Sequence, residues 1–370
     1  MKFSVASTEL QKGLTRISGV VPSKSTLPIL ENILFNLAKN VLRVSATDLE
    51  VLMSATIDVK GLEDGSVAVP AKRVMETIRS LPEIQLIFHA DPSSNKIKMI
   101  TENGEYNLVG ESSEEFPAVP QFKSDEQFAL QGGMLKSLIH RTIFSVSTDE
   151  LRPAMTGVLL QLKGSDVRAV ASDGHRLVRI NFSGLKPKFK KDIIVPAKAL
   201  ALVSRSAEEN DNTMAVDSSH VQFTFGNTTL TSRLIEESYP NYESVIPLDN
   251  EKKLAVSRDL LLASVKRVSL YSSSTTHQVR FALKKNEMLV TAEDIDFGGE
   301  AKEKIPCHYD AEPIEIGFNS SYVVDILSHI ESDDVVFRFS SSVRAAIVAP
   351  ATQRENEDVL MLVMPMRLNN

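Results

Sequence analysis

Ser172-Asp173-Gly174-His175 places a hydroxyl, a carboxylate and an imidazole within four positions, the three groups that nucleophilic hydrolysis employs. A hydrolase with Ser172 as nucleophile and Asp173 and His175 as its acid and base is therefore one reading. Adjacency counts against it, because such triads normally converge from separate segments to reach hydrogen-bond geometry. The seven histidines, at 89, 140, 175, 220, 277, 308 and 329, show no His-x-x-x-His spacing. Cys307-His308 supplies too few ligands for zinc, so no metal site is expected. Gly132-Gly133 and Gly298-Gly299 read as turns, with neither phosphate-loop nor dinucleotide-binding spacing around them. No catalytic residues, no cofactor and no ATPase are expected.

The elements that must position these groups come from a chain of 370 residues, long enough for two or three domains. With 42% apolar and 24% charged residues, core-forming material is ample without disulfide or metal. The single Cys307 points to a reducing, cytoplasmic compartment. Met1 to Ser7 alternates like a strand rather than a secretory signal, and no apolar run reaches the roughly 18–20 residues of a membrane helix.

One unit recurs with a long period. Val69-Pro70-Ala71-Lys72 returns as Val195-Pro196-Ala197-Lys198 at an offset of 126, and Thr47-Asp48 as Ser172-Asp173 at 125. Glu115-Phe116-Pro117 returns as Ser238-Tyr239-Pro240 at 123. A third copy is more worn: Ser257-Arg258-Asp259 opens a helix as Gly133-Met134-Leu135 does, and Glu293-Asp294 ends a strand where Ser172-Asp173 did. Three domains follow, 1–122, 123–249 and 250–370, with boundaries near Pro120–Glu126 and Pro247–Lys252. Each reads strand, helix, strands, helix, strands: an α+β unit of sheet and two amphipathic helices. Leu10, Leu14 and Ile17 share one helical face opposite Lys12 and Arg16, Gly13 weakens that helix slightly, and Pro70 suits a first helical turn.

Charge divides by element. Six helices are expected, at 7–18, 70–81, 132–146, 196–207, 257–271 and 319–331. They hold twelve basic residues, Lys12, Arg16, Lys72, Arg73, Arg79, Lys136, Arg141, Lys198, Arg205, Arg258, Lys266 and Arg267, against five acids. The overall charge of −7 is thus +7 on the helices and −14 elsewhere. A net negative chain ordinarily argues against nucleic acid, but basic helices on an acidic scaffold suit one surface turned to a polyanion. The sixth helix, without Lys or Arg, would be its weak part.

Ala171-Ser172-Asp173-Gly174-His175-Arg176-Leu177 resembles the second-domain signature of the bacterial sliding clamps, the beta subunits of DNA polymerase III. Val363-Met364-Pro365-Met366-Arg367-Leu368 is similar to the family's ending, and Ser25-Thr26-Leu27-Pro28-Ile29-Leu30 and Gly317-Phe318-Asn319-Ser320-Ser321-Tyr322 match in order. The resemblance spans residues 1 to 368. It implies a DNA clamp fold, half of a six-domain ring formed by a head-to-tail homodimer, with helices lining a hole that passes duplex DNA without reading its sequence. It also implies a non-catalytic processivity factor in DNA replication. The implied partners are the replicative polymerase, the clamp loader and repair proteins, which dock through short linear peptides.

Carried over by position, the peptide pocket comprises Met155, Ser172, Gly174, His175, Arg176, Leu177, Pro240, Val245, Asn319 and Tyr322. Val343, Ala345, Leu362, Val363, Met364, Pro365, Met366 and Arg367 complete it. Aliphatic and Met side chains make an adaptable cleft, and Arg176 and Arg367 are expected to hold a peptide carboxylate or carbonyl. Met155 stands where Leu is frequent, and Ser244 where a basic residue can occur. The DNA-facing set is Lys12, Arg16, Lys24, Lys72, Arg79, Lys136, Arg141, Arg152, Lys198, Arg205, Lys266 and Arg267. In the Thr148–Ala154 loop, Asp149 and Glu150 oppose phosphate, and Pro153 and Ala154 replace aromatics found in some relatives. The subunit joint would bring Tyr106 and Leu108 to Leu270 and Tyr271, with Arg73 pairing to Glu300 or Glu303.

Overall fold

Period-two apolar segments become strands and 3.6-period segments become helices in all three repeats. A computed structural model describes residues 1–118, 122–124, 126–183, 185, 187–209 and 212–368. The expected boundary at Pro120–Glu126 therefore lies partly outside the described residues. The helices are α1 (Ser7–Ile17), α2 (Ala71–Ser80), α3 (Gly132–Thr142), α4 (Ala197–Ser206), α5 (Arg258–Val268) and α6 (Ser320–Ser328). The expected longer ends at 143–146 and 269–271 close as short 3-10 turns, Ile143–Ser145 and Ser269–Tyr271. Pro70 precedes α2 as its N-cap and ends the strand Gly65–Pro70.

α1 buries Leu10, Gly13, Leu14 and Ile17 and leaves Lys12 and Arg16 outside. Gly13 is more than a weak helix former. A Cβ there would overlap the Ile57 side chain, so a larger residue would require Ile57 to move for the helix to sit this close to the sheet. α2 buries Ala71, Val74 and Ile78 beside it.

By contacts the chain forms two units, residues 1–135 with 198–234, and 136–197 with 235–370. This division differs from a three-way cut at the repeat boundaries, and the sheets explain why. In the first unit, Val51–Asp58 of repeat one pairs with Thr228–Arg233 of repeat two, so four strands from each form one eight-stranded sheet. In the second unit, Arg176–Ser183 of repeat two pairs with Glu357–Val363 of repeat three inside a nine-stranded sheet. Backbone ladders cross the repeat boundaries, and the middle repeat contributes to both units.

The rule is the same at both junctions. The third strand after a repeat's first helix pairs with the last strand of the following repeat. Among the described residues, two strands of these junction types lie at a sheet edge without such a partner: Glu105–Val109, last of repeat one, and Gly299–Pro306 of repeat three, the counterpart of Val51–Asp58 and Arg176–Ser183.

Candidate partner pocket and nucleic-acid interface

The pocket is built on a tight turn between the strands Asp166–Ser172 and Arg176–Ser183. Ser172 Oγ donates to the carbonyl of Arg176 at 2.7 Å and accepts from the amide of Gly174 at 3.1 Å. Asp173 Oδ1 accepts from the amides of His175 and Arg176, each at 2.9 Å. Gly174 has φ +90°, a left-handed conformation that an L side chain rarely adopts. These bonds make Ser172 and Asp173 a lock for the turn. The hydrolase reading receives no support from them, since the Ser172 proton goes to a backbone carbonyl.

The strand leaving the turn sets Arg176 opposite Val363 and Leu177 opposite Leu362. Met364 N then donates to His175 O at 2.8 Å, and Met366 N to Gly317 O at 2.8 Å. The C-terminal segment is thus pinned at both points, which gives Met364 a fixed position on the rim.

A cavity of about 230 Å³ lies over this junction. Met155, Ser172, Gly174, His175, Arg176, Leu177, Pro240, Val245, Leu362 and Met364 line it, ten of the expected positions. Tyr239, Asn241 and Tyr242 complete the lining and were not anticipated. Tyr239 had a signal, since Tyr239-Pro240 repeats Phe116-Pro117, but Tyr242 had none. Tyr242 donates to Gln161 Oε1 at 2.7 Å and accepts from Arg168 Nη1 at 3.1 Å, so its ring is held as a wall. Burial pushes the Tyr239 hydroxyl well above the ordinary tyrosine range, keeping it neutral. Beneath the cavity, Leu177, Leu362 and Tyr242 join Leu159, Val170 and Ile194 in one buried cluster. The floor is continuous with the core and correspondingly rigid.

Several expected positions do other work. Arg176 does not present a free guanidinium. Its Nε donates to Asp173 at 3.1 Å, Nη1 to Asp325, and Nη2 to the Phe144 carbonyl at 2.6 Å. It braces the pocket rather than holding a peptide carboxylate. Asn319, Tyr322, Val343, Ala345, Val363, Pro365, Met366 and Arg367 are not in this cavity's lining. Asn319 caps α6 by accepting from Ser321 N at 2.9 Å, and Ala345 and Val363 are buried. Tyr322 adjoins the rim, its ring stacked 5.9 Å from that of His175. Arg367 and Val343 are exposed.

Of the basic set, Arg141 is corrected. It is only 4% exposed, with Nη1 on Glu357 at 2.6 Å and Nη2 on Glu331 at 2.7 Å, so it offers nothing to phosphate. Helical spacing marked it as polar-face, but α3 meets acids of repeat three on that side. Five others are exposed yet paired: Lys12 with Glu9, Arg16 with Glu208, Arg152 with Asp149, Lys198 with Asp48 and Arg267 with Glu303. Arg152 also donates to Asp173 O at 3.2 Å, which ties it to the pocket turn. Lys24, Lys72, Arg79, Lys136, Arg205 and Lys266 are exposed and have no ion pair among the described residues.

On the edge strand Glu105–Val109, Leu108 and Tyr106 are half-buried, while in the 3-10 turn after α5 Leu270 is 81% and Tyr271 49% exposed. Glu303 is held within its own chain by both arms of Arg267, at 2.8 and 2.7 Å, and Glu300 pairs with Lys302. Arg73 carries no ion pair among the described residues, so a link to either acid requires exchange of partners.

Three copies of one strand–helix–strands–helix–strands unit, with sheets running across the repeat boundaries, define the class as a three-domain clamp. Family profiles described as the N-terminal, central and C-terminal domains of the DNA polymerase III beta subunit match residues 1–120, 129–241 and 243–367. The chain is 31% identical over 373 residues to the beta sliding clamp of Chlamydia muridarum, covering 100% of both. A DNA polymerase sliding clamp from Pseudomonas aeruginosa, solved with ligand, superimposes with a TM-score of 0.94 at 29% identity and 100% coverage of both chains. A second structure from that organism, bound to griselimycin, gives 0.93. The chain belongs to the DNA polymerase III beta subunit family, the beta sliding clamps.

Proposed function

We propose that two copies of this chain close head to tail around duplex DNA and tether a replicative polymerase to it. The observation that carries this reading is the pair of free strand edges. At each internal junction a strand of the Val51–Asp58 type is matched by the last strand of the next repeat. The two strands left over, Gly299–Pro306 and Glu105–Val109, are one of each type, so a second copy supplies the missing partner at both ends. The half-buried Leu108 and Tyr106 would then meet Leu270 and Tyr271, two exposed apolar side chains that gain a reason to be exposed.

In this reading the three domains are 1–122, 123–249 and 250–370, and the unpaired Lys24, Lys72, Arg79, Lys136, Arg205 and Lys266 face phosphate. Phosphate contacts without base contacts favour sliding, and topology replaces affinity. The cavity over Leu177 and Leu362 takes linear peptides of the polymerase, the clamp loader and repair proteins, its Met and aliphatic lining adapting to several. The chain serves as a non-catalytic subunit in the cytoplasm, and ring opening falls to a partner.

Retention on DNA tests the proposal directly. Protein loaded on nicked circular DNA is expected to stay bound through a high-salt wash and to leave when the circle is linearised. Equal loss from circles and linear DNA would rule out encirclement.

A further inference from the structure

The turn that builds the partner pocket occurs a second time in repeat one, hydrogen bond for hydrogen bond. Thr47 Oγ1 donates to Val51 O at 2.9 Å and accepts from Leu49 N at 3.0 Å, as Ser172 does with Arg176 and Gly174. Asp48 Oδ1 accepts from the amides of Glu50 at 3.0 Å and Val51 at 2.7 Å, as Asp173 does from His175 and Arg176. The register beyond the turn also agrees. Leu52 lies opposite Thr231, as Leu177 lies opposite Leu362. Arg233 N donates to Glu50 O at 3.0 Å, where Met364 N donates to His175 O.

A cleft of about 90 Å³ lies over this turn, lined among others by Leu49, Glu50, Leu52, Pro117, Thr231 and Arg233. Pro117 stands where Pro240 lines the larger cavity. The correspondence replaces Leu362 by Thr231 and Met364 by Arg233, so the site turns smaller and more polar, with one cation, Arg233, and one anion, Glu50, in its lining. The Arg233 side chain is exposed and has no ion-pair partner among the described residues. Leu49, the counterpart of Gly174, keeps a left-handed φ of 79° although it is bulky and half-exposed. Such strain collects at ligand sites.

We propose that this cleft is a second docking site, for a short linear peptide that sets an acidic side chain on Arg233 and one apolar side chain between Leu52 and Pro117. The inference rests on the reading of the larger cavity as a peptide pocket. Its smaller volume suits one anchoring side chain rather than several, and the Arg233 guanidinium, which makes no ion pair with Glu50 or any other described residue, can fork onto a carboxylate.

The test uses full-length protein with labelled Leu and Met methyl groups, titrated with two blocked hexapeptides, Gly-Ser-Asp-Leu-Asp-Ser and Gly-Ser-Lys-Leu-Lys-Ser. The acidic peptide is expected to shift the Leu49 and Leu52 methyl signals, and the basic one to leave them in place. Arg233→Glu, on an exposed side chain, is expected to weaken those shifts about ten-fold without altering any response at Met155 or Leu177. Acidic peptide that leaves Leu49 and Leu52 unmoved, or moves them equally in Arg233→Glu, overturns the second site. Failure of the larger pocket reads out separately, as silence at Met155 and Leu177 toward peptides taken from a polymerase.

Discussion

Arg176 lays its guanidinium over the ring of Tyr322, 4.8 Å from the centroid, with Phe144 at 5.3 Å as a second aromatic neighbour. The planar group is thereby fixed while its edge bonds Asp173, Asp325 and a carbonyl. Arg176→Ala is expected to lower unfolding free energy by about 2–4 kcal/mol, because partly buried carboxylates lose their partner. Arg176→Lys should restore little, since an ammonium can neither stack flat nor bond in a fork. Denaturant titration of both variants checks this; full recovery by lysine would show that charge alone matters.

Arg141 links Glu357, 10% exposed at its side chain, to Glu331. Arg141→Met is expected to cost about 3–5 kcal/mol by leaving buried charge unpaired, and Glu357→Met on top of it to recover part of that loss. An Arg141→Met protein as stable as the parent would contradict the buried network.

Stability should fall with acid in two stages. Burial holds the His329 imidazole below its ordinary 6.5, against the hydrogen bond it gives the Asp325 carbonyl and with help from the charge of His140. The unfolded chain then takes that proton first, so this contribution is complete above pH 6.5 and is lost as pH drops through the lower folded value. Burial raises Glu331, but Arg141 and Arg354 outweigh it and leave the carboxyl below 4.5, so a second loss begins beneath that pH. Urea midpoints measured across this range should show the first stage vanish in His329→Phe.

The two equivalent turns predict opposite responses to exchange of their third residues. Leu49→Gly relieves a φ of 79° and is expected to stabilise by about 1 kcal/mol. Gly174→Ala forces a Cβ to φ +90° and within 3.0 Å of Arg152 Nη1, and is expected to destabilise by about 1 kcal/mol or more. Thermal unfolding of the pair decides it; changes of the same sign would mean the turns are not equivalent.

Assembly and docking should separate. Leu270→Asp, at an 81% exposed position, is expected to leave the fold intact but shift native mass from about twice 40.8 kDa toward 40.8 kDa. Removal of residues 364–370 should abolish peptide binding and leave the larger mass unchanged, because Met364 and its bond to His175 form one rim of the pocket. Peptide affinity that survives the truncation would move the site elsewhere.

Much of this protein was legible from residue order. The repeat was visible because turn locks need specific atoms: Asp48, Asp173 and Asp294 each accept backbone amides two and three residues on, so the aspartate recurs in every copy. Ser172, Gly174, His175, Arg176 and Leu177 sit on or next to such a turn, whereas Met155, Pro240, Val245, Leu362 and Met364 were expected only from the resemblance to the family. Tertiary structure alone decided the rest. Arg141 and Lys136 look alike on the helix, yet acids more than a hundred residues away bury the first and leave the second in solvent. Tyr242 became a wall through Gln161 and Arg168, partners no local pattern announces. The two-unit division likewise follows from ladders between distant strands, because strand pairing is set by register across the sheet and not by neighbours in sequence.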